Sequence, residues 1–160
     1  DIIKGGLKNG LSINELKAGP LFGQLGSYGW EWVSSFTAFG GIYLLYKGII
    51  RWHIPISLLT SITIVAAIFY LFEPNQNLSP SFHLLSGATV IGAFFIATDP
   101  VSAAATNQGR LIYGASIGVL TYAIRTWGGY PDGLAFAVLL MNSMVPLIDR
   151  FTRPKIYGQP

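Results

Sequence analysis

The sequence predicts an all-α integral membrane protein, a bundle of about five transmembrane helices. Hydrophobic residues make up 51% of the 160 residues and charged residues only 11%, a balance too apolar for an ordinary soluble domain. The apolar residues gather in long stretches that lack the alternation of a membrane β-strand. Because lipid offers no hydrogen-bond partners to an open backbone, these stretches must be helices.

The predicted membrane helices end at charged residues, at Pro and Gly, or at polar clusters. They cover five ranges: 32–50, 54–72, 82–98, 111–126 and 133–148. The last three are near the short limit for a span of about 20 residues. We expect Arg110, Arg125 and Arg150 beside them to extend toward the lipid headgroups.

Lysines and arginines near the spans are divided unequally between the two sides. One side receives Lys47, Arg51, Arg110, Arg150, Arg153 and Lys155, whereas the short loops of the other side carry Arg125 alone. The positive side is expected to be cytoplasmic. Residues 1–29 then form an outer-side (periplasmic) segment or a linker between two halves of a longer protein. Residues 30–150 form the five-helix membrane domain, and residues 151–160 form a cytoplasmic tail.

Small residues recur at helical spacing within the predicted spans. Gly114 and Gly118 are four residues apart, as are Ala88 and Gly92. Small residues at this spacing let neighbouring membrane helices approach closely. We therefore expect these positions to be helix contacts.

The polar residues predict no metal site. His53 begins the second span and His83 the third, so they should lie about 30 Å apart on opposite sides of the membrane and cannot share an ion. The chain has no cysteine, which excludes thiolate-held zinc and cysteine-ligated iron–sulfur clusters. The scattered basic residues also argue against nucleic acid as a partner.

Two carboxylates have structural interpretations. Asp99 before Pro100 is typical of a helix start, which is favoured here over an intramembrane ion site. Arg125 and Asp132 flank the sequence TWGGYPD and would form an ion pair on the outer side. The alternative interpretation is that this loop lines a pocket for an aromatic ligand.

A quartet of small residues opens the third span: Ser86, Gly87, Ala88 and Thr89. On residue chemistry alone these residues are mostly a packing surface. The other interpretation is a phosphate site, because a helix that begins near residues 77–81 would turn its positive end toward this quartet. The hydroxyl of Thr89 would then be a chemical attachment point.

Two long runs carry a family resemblance: KAGPLFGQLGSYGWEWVSSFTAFGGIYLLYKGIIRWHIP and SGATVIGAFFIATDPVSAAATNQGRLIYGASIGVLTYAIRTWGGYPDGLAFAVLLMNSMVPLIDRFTRPKIYG. Over nearly its whole length the chain resembles the D-subunit family of the bacterial Rnf (Rsx) electron transport complex. This family is related to the B subunit of the sodium-pumping NADH:quinone reductase. Its members are longer and have two related halves, of which this chain resembles the C-terminal one.

The resemblance implies a flavoprotein subunit of an ion-translocating oxidoreductase complex. FMN would be joined through its phosphate to Thr89 by a flavin transferase acting on the outer side, with Ser86, Gly87 and Ala88 completing the motif. Many flavinylated proteins have Asp six residues before the acceptor, where this chain has His83. The electron donor and iron–sulfur clusters would lie on other subunits, the coupling ion would be sodium or a proton, and a second flavin is left open.

The competing hypothesis is a membrane transport or scaffold subunit without a cofactor. Helices rich in small residues could line a solute pathway, and half of a repeat-built membrane protein fits this class too. In that case the quartet would serve only helix packing.

Overall fold

The computed structural model describes residues 29–74, 77–85, 87–128 and 132–154. Every regular element in these ranges is helical, which confirms the all-α prediction. In chain order they are α1 (Trp30–Tyr46), α2 (His53–Phe72), α3 (Pro80–Leu85), α4 (Thr89–Ile91), a π-helical segment (Gly92–Ile96), α5 (Asn107–Thr126) and α6 (Gly133–Thr152). Ser86, nearly all of the predicted periplasmic segment and the end of the predicted tail lie outside the described residues.

Two of the described helices, α2 and α6, are long and apolar enough to cross a membrane. Each has 20 residues, which corresponds to about 30 Å of helix. α1 has 17 residues, and the first turn of α5 contains Asn107, Gln108 and Arg110. The other described helices are shorter or more polar, and the number of membrane-crossing helices stays a prediction.

Large apolar side chains cover much of the outer surface. Phe36 and Phe39 of α1 are exposed, as are Leu71 and Phe72 at the end of α2. A water-soluble protein rarely exposes so many large apolar groups together, whereas lipid or a neighbouring subunit would cover them favourably. The surface therefore agrees with the membrane class.

The core forms where α2 and α5 approach each other. Leu58 of α2 and Ile117 of α5 are fully buried in it. A Cβ atom on Gly114 would lie 2.7 Å from the carbonyl oxygen of Ile54, and one on Gly118 would lie 2.6 Å from that of Leu58. Only glycine allows the two backbones this separation, which confirms the predicted role of the pair.

The third predicted span, residues 82–98, is not a continuous helix. α3 ends at Leu85, and Gly87 has a φ of +71°, in the left-handed region that a right-handed helix cannot contain. α4 then supplies a single turn before the π-helical segment, where the N–H of Ala97 donates to the carbonyl of Gly92 at 2.7 Å. The prediction of one helix here is wrong because the positive φ of Gly87 interrupts the helical backbone.

Hydrogen bonds between loops and helix ends show which ends share a side. Arg51 Nη1 donates to Asn107 Oδ1 at 3.1 Å, and the N–H of Ala105 donates to Asp149 Oδ1 at 3.0 Å. These contacts bring the start of α5, the end of α6 and the connection that carries Arg51 to one end of the bundle. Which end faces the cytoplasm stays a prediction.

Candidate functional site

Thr89, the predicted attachment residue, is the first residue of α4 and follows the break in the third segment. Its side chain is fully buried, and its hydroxyl donates to the carbonyl oxygen of His83 at 2.8 Å. Gly87 and Ala88 form the turn between α3 and α4, whereas Ser86 lies outside the described residues. The break therefore places the hydroxyl in the protein interior, against the end of α3.

Arg125, from the last turn of α5, reaches the same break. Its Nη1 donates to the carbonyl oxygen of His83 at 2.8 Å, and its Nη2 lies 3.1 Å from the position of a Cβ atom on Gly87. Arg125 and the Thr89 hydroxyl thus share one acceptor. The distance between Arg125 Nη1 and Thr89 Oγ1 is therefore no greater than the sum of their two hydrogen-bond lengths. A permanent positive charge accompanies the candidate attachment point.

The break frees backbone carbonyls that a continuous helix would have used. The carbonyl of His83 is taken by Thr89 and Arg125, and the carbonyl of Leu85 accepts from Ser34 Oγ at 2.9 Å. Ser34 belongs to α1 and is buried. Side chains from three different elements therefore satisfy the backbone, as an irregular segment within a membrane protein requires.

The source of positive charge differs from the one expected. The sequence predicted that a helix N-terminus would favour a phosphate near Thr89, but α3 has only six residues and ends before Gly87, and α4 is a single turn. Dipoles this short sum to little charge. The guanidinium of Arg125 provides the charge instead.

Arg125 differs from its predicted role at a headgroup, and Asp132 adds a capping role to its predicted electrostatic attraction to Arg125. Asp132 caps α6, since its carboxylate accepts the N–H of Leu134 at 3.0 Å and that of Ala135 at 3.4 Å. Arg125 turns inward to the break and does not extend to a headgroup. One signal could have indicated this: an arginine inside a predicted membrane span usually faces protein rather than lipid.

Aromatic rings adjoin the site. The His83 ring lies 5.0 Å from that of Tyr122, centroid to centroid, and Tyr122 stacks on Phe69 at 5.3 Å. Trp127 contacts both Phe69 and Tyr122 edge-on and is two-thirds exposed. The site therefore has an aromatic wall that ends in one accessible indole.

The remaining predicted polar positions have structural roles. Asp99 Oδ2 accepts two hydrogen bonds from Ser102, one from its N–H at 3.1 Å and one from its side-chain hydroxyl at 2.8 Å. This confirms a capping role for Asp99 in a short turn. His53 and His83 stand near opposite ends of the α2–α5 pair, as expected. Within the described ranges, no group of three or more His, Asp or Glu side chains is arranged to hold a metal.

The residues around Thr89 fit a phosphate ester in chemistry and charge. A hydroxyl oxygen can form the ester, and the adjacent guanidinium has donors that match phosphate oxygens. The hydroxyl is enclosed, however, so access to it requires movement of the turn at Gly87 and Ala88. Glycine at a positive φ makes this turn the natural place for that movement.

The fold and the site define a helical membrane protein whose third segment is broken at a buried, arginine-flanked threonine. The chain belongs to the NQR2, RnfD, RnfE family, whose model matches residues 7–158.

Relatives of this chain share one description, the D subunit of an ion-translocating oxidoreductase complex. The chain is 56% identical to the protein of Aliivibrio salmonicida over 158 residues and 53% identical to those of Cronobacter sakazakii and Salmonella paratyphi B over 159 residues. These alignments cover 99% of this chain and 45% of each relative. The chain therefore spans about half the length of the relatives it matches.

Proposed function

We propose that this chain is part of an electron-carrying membrane subunit of an ion-translocating oxidoreductase complex, with FMN esterified through its phosphate to Thr89. The observation that carries the proposal is the shared acceptor of Thr89 and Arg125, which brings a reactive hydroxyl and a guanidinium to one break in a membrane segment. Support comes from the names of the relatives, which describe subunits of such a complex.

Attachment changes the hydrogen bonds at the break. Attachment would join the hydroxyl oxygen of Thr89 to the flavin phosphate, with the rest of the donor nucleotide leaving and the hydroxyl proton passing to the transferase. Thr89 would then no longer donate to His83. Arg125 would keep that carbonyl satisfied, and its other donors would be free for the phosphodiester.

The bound FMN would supply the redox chemistry, and the protein would supply its environment. Arg125 balances the negative phosphodiester inside a poorly hydrated site, where an unpaired charge is costly. The aromatic wall of Phe69, Tyr122 and Trp127 excludes water from one side of the site. These residues hold and screen the group, and none of them is assigned a catalytic role.

The complex would couple electron transfer to sodium or proton movement across the bacterial inner membrane. Its other membrane and peripheral subunits would provide the electron donor and acceptor, and a separate flavin transferase would modify Thr89. The positive end of the bundle would face the cytoplasm. Thr89, at the opposite end, would then lie near the periplasmic side.

The second candidate function is a cofactor-free transport or scaffold subunit. It is favoured by the burial of Thr89, whose hydroxyl already has an acceptor and could serve only to close the break.

Mass spectrometry of the Thr89 peptide separates the two candidates. The protein is co-expressed with its flavin transferase and denatured to remove loosely held flavin before digestion. We expect an FMN-sized adduct on Thr89, absent from a Thr89→Ala variant and retained in Thr98→Ala, which removes a hydroxyl that bonds within the same segment. An unmodified Thr89, with the transferase active on another acceptor, would overturn the flavin proposal.

A further inference from the structure

A cavity of about 530 Å³ lies at the end of the bundle opposite Thr89. It is enclosed by the connection from α1 to α2, by the loop that follows the π-helical segment, and by the ends of α5 and α6. Its charged lining residues are Arg51, Arg110 and Asp149. This cavity has no part in the proposed flavin site.

Arg110 has unused hydrogen-bonding capacity in this cavity. Its Nε donates to the carbonyl oxygen of Ala104 at 3.0 Å, but its Nη1 is buried and has no partner among the described residues. A buried donor of a charged group without an acceptor is costly, so an acceptor is expected to occupy the space it faces. Asp149 attracts Arg110 electrostatically but does not bond to this nitrogen, which leaves room for a further acceptor in the cavity.

The other charged groups leave the cavity positive. Asp149 uses its carboxylate on the N–H of Ala105, at 3.0 Å for Oδ1 and 3.3 Å for Oδ2. Arg51 donates one Nη1 hydrogen bond to Asn107 and is otherwise at the surface. Two guanidinium groups therefore face one carboxylate, and an anion between the two arginines would relieve their repulsion.

The rim of the cavity is apolar. Val101 is 91% exposed and Ile49 is 68% exposed, and both line the opening. In a membrane protein such residues contact acyl chains, while basic pockets between helices bind the phosphate groups of anionic lipids. The arrangement suits a ligand with a charged phosphate end and tolerates an apolar remainder.

We infer that this cavity is a binding site for a phosphate ester, held between the guanidinium groups of Arg51 and Arg110. The phosphate comes either from the headgroup of an anionic lipid or from a soluble phosphate ester. The recognising chemistry is the same for both: charge-assisted hydrogen bonds from two arginines to phosphate oxygens. This site is independent of the proposed FMN attachment.

Native mass spectrometry of the intact complex tests the site. Delipidated complex is offered phosphatidylglycerol or glycerol 3-phosphate, and retained ligand is counted per complex. We expect Arg51→Gln and Arg110→Gln each to weaken retention about tenfold, since each removes a charge-assisted contact. Arg153→Gln removes one exposed positive charge from the same end without touching the cavity and should change nothing.

Each outcome decides the proposal. Retention of phosphatidylglycerol that depends on the two arginines supports it with a lipid source, and arginine-dependent retention of glycerol 3-phosphate alone supports it with a soluble source. Failure of both ligands to bind, or equal weakening by Arg153→Gln, overturns it. Arg51→Gln keeps the test decisive if Arg110→Gln misfolds, because Arg51 is exposed and Arg110 also holds the loop at Ala104.

Discussion

Arg125 and Thr89 donate to the same oxygen, the carbonyl of His83, and each hydrogen bond is 2.8 Å long. One donor is a permanently charged guanidinium and the other is a neutral hydroxyl. If Thr89 carries FMN as proposed, the arginine alone keeps this carbonyl satisfied.

Replacing Arg125 with Gln should reduce both stability and flavin attachment. The loss of a charge-assisted hydrogen bond to a buried carbonyl costs about 1.5–3 kcal/mol, and the phosphodiester would lose its counter-charge. Covalent flavin fluorescence on a denaturing gel and thermal unfolding in detergent measure the two effects. Arg150→Gln, which removes an exposed arginine, is the control. Full flavin loading in Arg125→Gln would contradict the assigned role.

Gly87→Ala should destabilise the chain more than Gly48→Ala. Both glycines have similar positive φ values, +71° and +69°, so both substitutions carry a backbone penalty of about 1–2 kcal/mol. Only at Gly87 would the added Cβ also press on Arg125, since at Gly48 nothing lies within 4 Å. The difference between their unfolding temperatures isolates that contact, and equal unfolding temperatures would refute it.

Gly118→Ala should separate α2 from α5. The new Cβ would lie 2.6 Å from the carbonyl oxygen of Leu58, and overpacking of this kind costs about 1–3 kcal/mol. Gly40→Ala is the matched control in α1, where the nearest atom, Cζ of Phe95, is 3.5 Å from the new Cβ. The control should be neutral or stabilising by up to about 1 kcal/mol because alanine favours helix. Thermal unfolding that ranks the two variants in the opposite order would contradict the close approach.

Asp132→Ala should lower stability by about 1 kcal/mol, the usual value of a helix N-cap. Asp132→Asn keeps the capping oxygen but removes the charge that attracts Arg125, so it should lose that attraction alone and stay more stable than Asp132→Ala. If the ion pair with Arg125 outweighed the cap, Asn would be as damaging as Ala. Chemical denaturation of the two variants distinguishes the cap from the ion pair.

The helical class and the glycine contacts between α2 and α5 could be predicted because they depend on composition and spacing. Gly114 and Gly118 are small residues on one helical face, and that pattern has few other uses in an apolar segment. Thr89 could be proposed as an attachment residue mainly through the family resemblance. Its quartet of small residues allowed a phosphate site but was better explained as a packing surface.

The break at Gly87 and the carbonyl that Arg125 reaches could not be predicted, because both depend on tertiary contacts. Glycine is common inside membrane helices, so its presence alone does not predict a break in the helix. The break is stable because Ser34 and Arg125, 91 residues apart in the chain, satisfy the carbonyls it frees. No local pattern links residues so distant in sequence.

α5 carries Arg110 in its first turn and Arg125 in its last, about 22 Å apart along the axis. Its glycines hold it against α2 along much of that length. One helix therefore fixes the separation between the arginine beside the break and the arginine beside the cavity.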